Sequence, residues 1–328
     1  MEDAPRLRPP RKLGRLAPPR LRVLSLTGGG YRGLFTAAVL ARLVELGKPR
    51  RGLNESFDVF AGTSIGGLLA CALAVGIPAE QVRMTLARHG PKVFPSKVGA
   101  ATRRFVSGAL YDSKALGAAV DECLGRWADK PMRNVPVGLV ISAINWVTGR
   151  TQVFTSRPLG ASMASSASLR DVCLATAAAP TYFEPHLIDK TPMIDGGLVV
   201  NNPDALVVFE AARRWSDALD RMEVLSIGTA GVGSGAMAAT VPKAGREWAG
   251  SIVPFIISAQ ERLACDQVAG LLGTRYLRIN HEPGAGQQAL SEMDRVDASM
   301  TTTLQALGKQ AAEDAFRAHR ARLDRLMR

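Results

Sequence analysis

The chain has 328 residues, of which 47% are hydrophobic and 5% aromatic, and it carries a net charge of +12. Its hydrophobic content is ordinary for a globular chain, and no stretch approaches the roughly 20 apolar residues that a bilayer-crossing helix needs, so a membrane-spanning protein is not expected. The charge gathers at the ends, with six basic and two acidic side chains in residues 1–20 and five arginines beside Asp324 in residues 315–328; with so few aromatics, a nucleic-acid partner is not expected either.

Residues 1–20, rich in Pro and Arg, lack the apolar core of a secretion signal and predict a flexible basic leader before one α/β domain over 21–328. A basic tail of this kind suits solvent or peripheral contact with an anionic membrane surface. Cys71, Cys123, Cys173 and Cys265 form no C-x-x-C pair, which fits a reducing, cytoplasmic location. Leu21 to Leu26 predicts a strand, followed by the glycine run Gly28-Gly29-Gly30-Tyr31-Arg32-Gly33 and a helix over 33–46. A second apolar strand, Phe57 to Ala61, leads through Gly62-Thr63-Ser64-Ile65-Gly66 into an apolar helix over 65–75. Residues 79–130 read as mostly helical, with a loosely patterned stretch over 91–108 that has the character of a mobile flap. Strands return at 135–144 and 151–155. Ser168 with Asp171 caps a helix that ends near Ala179, before Pro180. A short apolar run then reaches Asp195-Gly196-Gly197, a helix follows from Pro203 to about Trp215, and a strand spans 222–227. Beyond the glycine-rich loop 231–245, helices are expected at 247–272 and 299–327, with a strand at 275–279 between them. Strands alternating with helices predict a mainly parallel sheet covered by helices.

The G-x-S-x-G run between a strand and a helix forces a tight turn that exposes the Ser64 hydroxyl at the positive end of a helix. Gly62 and Gly66 remove Cβ atoms that such a turn would crowd. Acyl transfer further needs a base and donors aimed at the oxyanion of the tetrahedral intermediate. Gly28, Gly29 and Gly30 supply converging backbone N–H groups, and Arg32 strengthens their field or holds the loop. The base is harder to place. Of the four histidines, His281 and His319 follow Ser64 in the order of a Ser-Asp-His triad, but neither lies in a glycine-supported loop after a core strand; His89 and His319 read as surface residues. Asp195, after apolar Met193-Ile194 and before two glycines, is placed for close approach. A dinucleotide-binding reading of Gly28-x-Gly30-x-x-Gly33 fails for want of an acidic residue at the end of the second strand, which instead leads into Ser64.

Taken together, LSLTGGGYRG, FAGTSIGG, ATAAAPTYFEP, DGGLVVNNP and VLSIGTAG, in that order over residues 21–231, resemble the patatin-like phospholipases. The resemblance implies a three-layer α/β/α fold and a Ser-Asp dyad without histidine: Ser64 as nucleophile, Asp195 as base, and Gly28, Gly29, Gly30 and Arg32 as the oxyanion site. It also implies phospholipid or lysophospholipid substrates, no metal and no cofactor. Leu68, Leu69, Leu73 and the 85–110 region can line an acyl trough. The wording GGGYRGLFTAAVL, with Thr27 where many of the family carry Asp, is similar to the patatin effectors of bacterial anti-phage signalling, which a cyclic dinucleotide switches on. That similarity implies a nucleotide activator, for which Arg103, Arg104 and Arg275 are phosphate candidates. The alternatives are a constitutive lipid acyl hydrolase and a Ser-Asp-His esterase. The C-terminal helical region, 247–328, is read either as a cover over the site or as a self-association surface of a homo-oligomer.

Overall fold

Strand β1 (Leu21–Leu26) sends Leu21 and Val23 to one side and Leu24 and Leu26 to the other, and all four are buried. β2 (Val59–Thr63) and β7 (Met222–Ile227) repeat the alternation, so two apolar clusters form, one on each face of a single sheet. This is the computed structural model of the chain, which describes residues 20–95, 109–160, 166–231, 245–284 and 287–327. The expected leader, most of the 91–108 stretch with Arg103 and Arg104, and the loop over 232–244 lie outside the described residues.

β1 pairs in parallel with both β2 and β7; β2 continues to β3 (Gly138–Asn145) and β7 to β8 (Tyr276–Ile279), also in parallel. The larger cluster is covered by α1 (Gly33–Gly47), α2 (Ile65–Ala74), α3 (Ala79–Val93), α4 (Ser113–Leu124), α5 (Leu169–Ala177) and α8 (Ala298–Leu326). On the opposite face Val207, Val208 and Ala211 of α6 (Asp204–Arg214) pack with Val268 and Leu272 of α7 (Gly245–Leu272). The result is the three-layer α/β/α arrangement, with a mainly parallel sheet, that the alternating pattern predicts.

One strand decides where the site forms. β3 pairs with β2 through residues 138–142 and with antiparallel β4 (Arg150–Thr155) through residues 140–145. It also pairs with antiparallel β6 (Thr191–Asp195) through residues 143–145. A strand has two edges, and β4 overlaps both of the others, so β2 and β6 must share the remaining edge. β6 takes over where β2 turns away. Thr63 lies opposite Ser142 and Asp195 opposite Ala143, so the ends of two strands meet head-on.

The hairpin of β5 (His186–Ile188) and β6 is not legible as strands in the sequence, for a local reason. β5 is three residues long with Leu187 exposed, and its turn places Asp189 and Lys190 at φ 47° and 66°. That is the backbone of a two-residue hairpin turn, which Asn-Gly would have advertised and Asp-Lys does not.

Candidate active site

Ser64 stands between β2 and α2 with φ 54° and ψ −127°, a conformation unusual for a residue with a side chain. A Cβ on Gly62 would collide with the carbonyl oxygen of Gly66, and one on Gly66 with the carbonyl oxygen of Leu26, so both elbow glycines are sterically required. The Ser64 N–H donates to Thr176 Oγ1 at 2.9 Å, and that hydroxyl donates to the Ser142 carbonyl at 2.6 Å. The Ser64 carbonyl accepts the Gly67 and Leu68 N–H groups, which starts α2 and brings its N-terminal field to the hydroxyl.

Asp195 ends β6, is buried, and shares the wall of one pocket with Ser64. Its Oδ1 accepts the Gly197 N–H at 2.7 Å. Burial pushes the Asp195 carboxyl up to about 6, against the opposing pull of the Ser64 hydroxyl and the Gly197 N–H. A carboxylate so raised is a stronger base than an ordinary one and remains ionised at neutral pH.

The glycine loop after β1 divides its backbone groups. Gly28 donates its N–H to the Asn201 carbonyl at 2.9 Å, and its own carbonyl accepts from Asn201 Nδ2 and Thr229 Oγ1, both at 3.3 Å. Among the described residues, no protein acceptor engages the N–H of Gly29 or of Gly30. Gly30 adopts φ +58°, and a Cβ there would collide with the Met293 carbonyl. Arg32 is buried under the loop, donating to the Gly29 carbonyl at 3.4 Å and to the Leu290 carbonyl at 3.2 Å, while Tyr31 N–H reaches the Met293 carbonyl at 2.8 Å. Gly28 and Arg32 therefore hold the loop, and Gly29 and Gly30 face the pocket beside Ser64.

That pocket has a volume of about 130 Å³ and contains both Ser64 and Asp195 in its wall. Its apolar lining includes Leu68, Leu86, Val93, Phe94, Phe183 and Ile257. Leu68 and part of the 85–110 region therefore line it; Leu69 and Leu73 lie in the core behind. His89 corrects a reading made from the sequence: it is 7% exposed, not a surface residue, and it lines the pocket. Residues 79–93 pack their apolar stripe inward, and His89 lies on that stripe, one turn beyond Thr85 and Leu86. Its Nε2 pairs with Glu122 at 2.7 Å, His186 pairs with Asp171 at 3.0 Å and His281 with Gln287 at 3.1 Å. Among the described residues, no histidine bonds Ser64 or Asp195. Arg275 is likewise engaged, donating to the carbonyls of Leu219 and Met222. Thr27 accepts a hydrogen bond from Arg278 at 2.8 Å.

Three supports escaped sequence reasoning. Asn201 and Thr176 lie inside quoted segments, but nothing local says that either touches a loop more than a hundred residues away. The stretch Leu290–Met293 carries no motif and acts through its carbonyls. Among the described residues, no group of three or more His, Cys, Asp or Glu side chains is placed to hold a metal ion, and no helix is long and apolar enough to cross a membrane.

Residues 24–207 match the family described as patatin-like phospholipase. A cGAMP-activated phospholipase of Pseudomonas aeruginosa is 34% identical over 319 residues, which cover 92% of this chain and 93% of that one. A cUMP-AMP-activated phospholipase of Escherichia coli is 30% identical over 220 residues, 63% of this chain and 64% of that one. Among solved structures, human GIVD cytosolic phospholipase A2 in complex with methyl gamma-linolenyl fluorophosphonate is similar at a TM-score of 0.46 and 13% identity, over 96% of this chain and 60% of that one.

Proposed function

We infer a phospholipid acyl hydrolase, starting from the fact that the chain belongs to the patatin-like phospholipase family. The observation that carries the mechanism is the placement of Ser64 and buried Asp195 together in the wall of one apolar pocket, where the ends of β2 and β6 meet. Ser64 Oγ attacks the acyl carbonyl as its proton passes to Asp195. The oxyanion is held by the free N–H groups of Gly29 and Gly30 and by the N-terminal field of α2, and Asp195 returns the proton to the departing alcohol. Water, deprotonated by the same carboxylate, then releases the fatty acid. An acyl chain suits the leucine, valine and phenylalanine lining. No cofactor or metal is needed for these steps.

The same reading includes control by a cyclic dinucleotide, the activator in the names of both relatives. A role in anti-phage defence, with the cell's own membrane as substrate, is part of this proposal and rests on the resemblance of the glycine-loop wording. The test is hydrolysis of a fluorogenic phospholipid by the purified chain, alone and with cGAMP or cUMP-AMP, with Ser64→Ala as blank. Turnover that appears only with a nucleotide is expected. Full turnover without one would leave a constitutive hydrolase, and no turnover above the blank under any condition would end the hydrolase reading.

A further inference from the structure

Between residues 252 and 263 the outward side of α7 carries exposed apolar side chains where a surface helix is ordinarily polar. Ile252, Phe255, Ile256 and Leu263 recur at one-face spacing and are between 41% and 58% exposed. The inward face has a different use: Ala264, Val268 and Leu272 are buried, while Val253 and Ile257 lie over the pocket that contains Ser64. The exposed stripe and the mouth of the site thus belong to one helix.

The hairpin tips at the same end of the sheet continue this surface. Trp146 and Val147, at the tip between β3 and β4, are 66% and 72% exposed. Trp146 N–H donates to the Pro192 carbonyl at 3.0 Å, and Leu187, exposed, lies opposite Pro192 in the β5–β6 hairpin, so the two tips stand side by side. Val199, exposed in the single turn Gly197–Val200 after Asp195, lies between the tips and α7, to which Gln260 ties that turn through the Gly197 carbonyl. Arg150 and Lys190 are exposed at the tips, beside one acidic residue, Asp189.

We propose that this apolar collar, formed by the outer face of α7 with Trp146, Val147, Leu187 and Val199, seats the protein on the surface of a phospholipid bilayer. The proposal rests on the hydrolase reading above and names the surface through which that site meets its substrate. Three features select a bilayer. The helix that carries the exposed stripe also supplies Val253 and Ile257 to the pocket that contains Ser64, so the apolar face adjoins the site a lipid must enter. An exposed tryptophan beside Lys and Arg is the composition of a membrane-interface anchor. The α7 helix also joins Ile and Phe outside to Val253 and Ile257 in the pocket wall, so its burial in the headgroup boundary bears directly on the pocket.

The experiment uses the full chain with Ser64→Ala, so that vesicles survive, in co-flotation with mixed phosphatidylethanolamine and phosphatidylglycerol vesicles, with and without cGAMP. Phe255→Glu with Ile256→Glu, and separately Trp146→Glu, are compared with the parent. Loss of vesicle affinity of at least about tenfold in the double substitution is expected, because it replaces two apolar side chains that the bilayer would bury with two charged ones. The same substitutions in the Ser64 chain should lower the ratio of vesicle turnover to turnover of a soluble short-chain ester. Undiminished flotation of both variants would overturn the proposal. So would a change in sedimentation behaviour without vesicle binding by the parent, which would assign the collar to a second copy of the chain. Failure of the hydrolase reading shows separately, as no turnover of the soluble ester.

Discussion

Asn201 grips Gly28 at both of its backbone groups: its carbonyl accepts the Gly28 N–H at 2.9 Å and its side-chain amide donates to the Gly28 carbonyl at 3.3 Å. A residue six positions after Asp195 therefore fixes the first residue of the glycine loop, which leaves the next two N–H groups free. In the proposed mechanism, the base and the oxyanion donors are held by one short segment. Asn201→Ala should reduce kcat by about 10- to 100-fold with little change in KM, since the lost bond orients the loop without touching the acyl chain. Steady-state kinetics on a short-chain ester check this; an unchanged kcat would detach Asn201 from the loop's function.

Asp195 sets the pH dependence. With its carboxyl pushed up to about 6, the base is lost as pH falls through that value, so kcat/KM should be level above it and fall about tenfold per pH unit below. A profile still level at pH 5 would contradict this.

The same shift has a cost in stability. A carboxyl raised from 3.8 to about 6 on folding binds its proton more tightly in the folded state, so its destabilisation of the fold builds as pH rises from about 4 to about 6, is complete above 6, and is absent below its unfolded value. Asp195→Asn should therefore abolish turnover yet raise stability at pH 8, by up to about 3 kcal/mol, with the gain shrinking as pH falls from 6 towards 4. Denaturant melts of both proteins at three pH values measure it.

Thr176 couples the elbow to the sheet. Thr176→Val keeps the shape but leaves the Ser64 N–H and the Ser142 carbonyl without a partner, which should cost about 1–3 kcal/mol of stability and a clear loss of kcat. Serine at the same position should recover most of both, because it restores the hydroxyl.

The histidines provide the opposite control. His281→Ala, and His89→Gln within the pocket wall, should each retain turnover within about tenfold of the parent, because neither ring bonds Ser64 or Asp195. Loss of activity in His281→Ala combined with full activity in Asp195→Asn would return the chain to the Ser-Asp-His class.

The sequence alone carried everything that depends on neighbours in the chain. The alternation of Leu21 to Leu26 set the faces of a central strand, glycines at 62 and 66 announced a turn with no room for Cβ atoms, and Asp195 stood out by its two following glycines. Its weak points were also local: Asp189-Lys190 hides a hairpin turn, and a helical stretch with polar neighbours hides the inward position of His89. Only the tertiary structure decided what depends on which surfaces share an edge or exclude water. β2 and β6 meet along one edge of β3, which puts the acid of residue 195 against the hydroxyl of residue 64. Burial then sets the basicity of that acid, Asn201 and the carbonyls of Leu290 and Met293 fix which amides of the glycine loop stay free, and the inner face of α7 helps enclose the pocket. Hydrogen-bond partners more than a hundred residues apart leave no periodicity in a sequence, because the chain between them sets neither their distance nor their orientation.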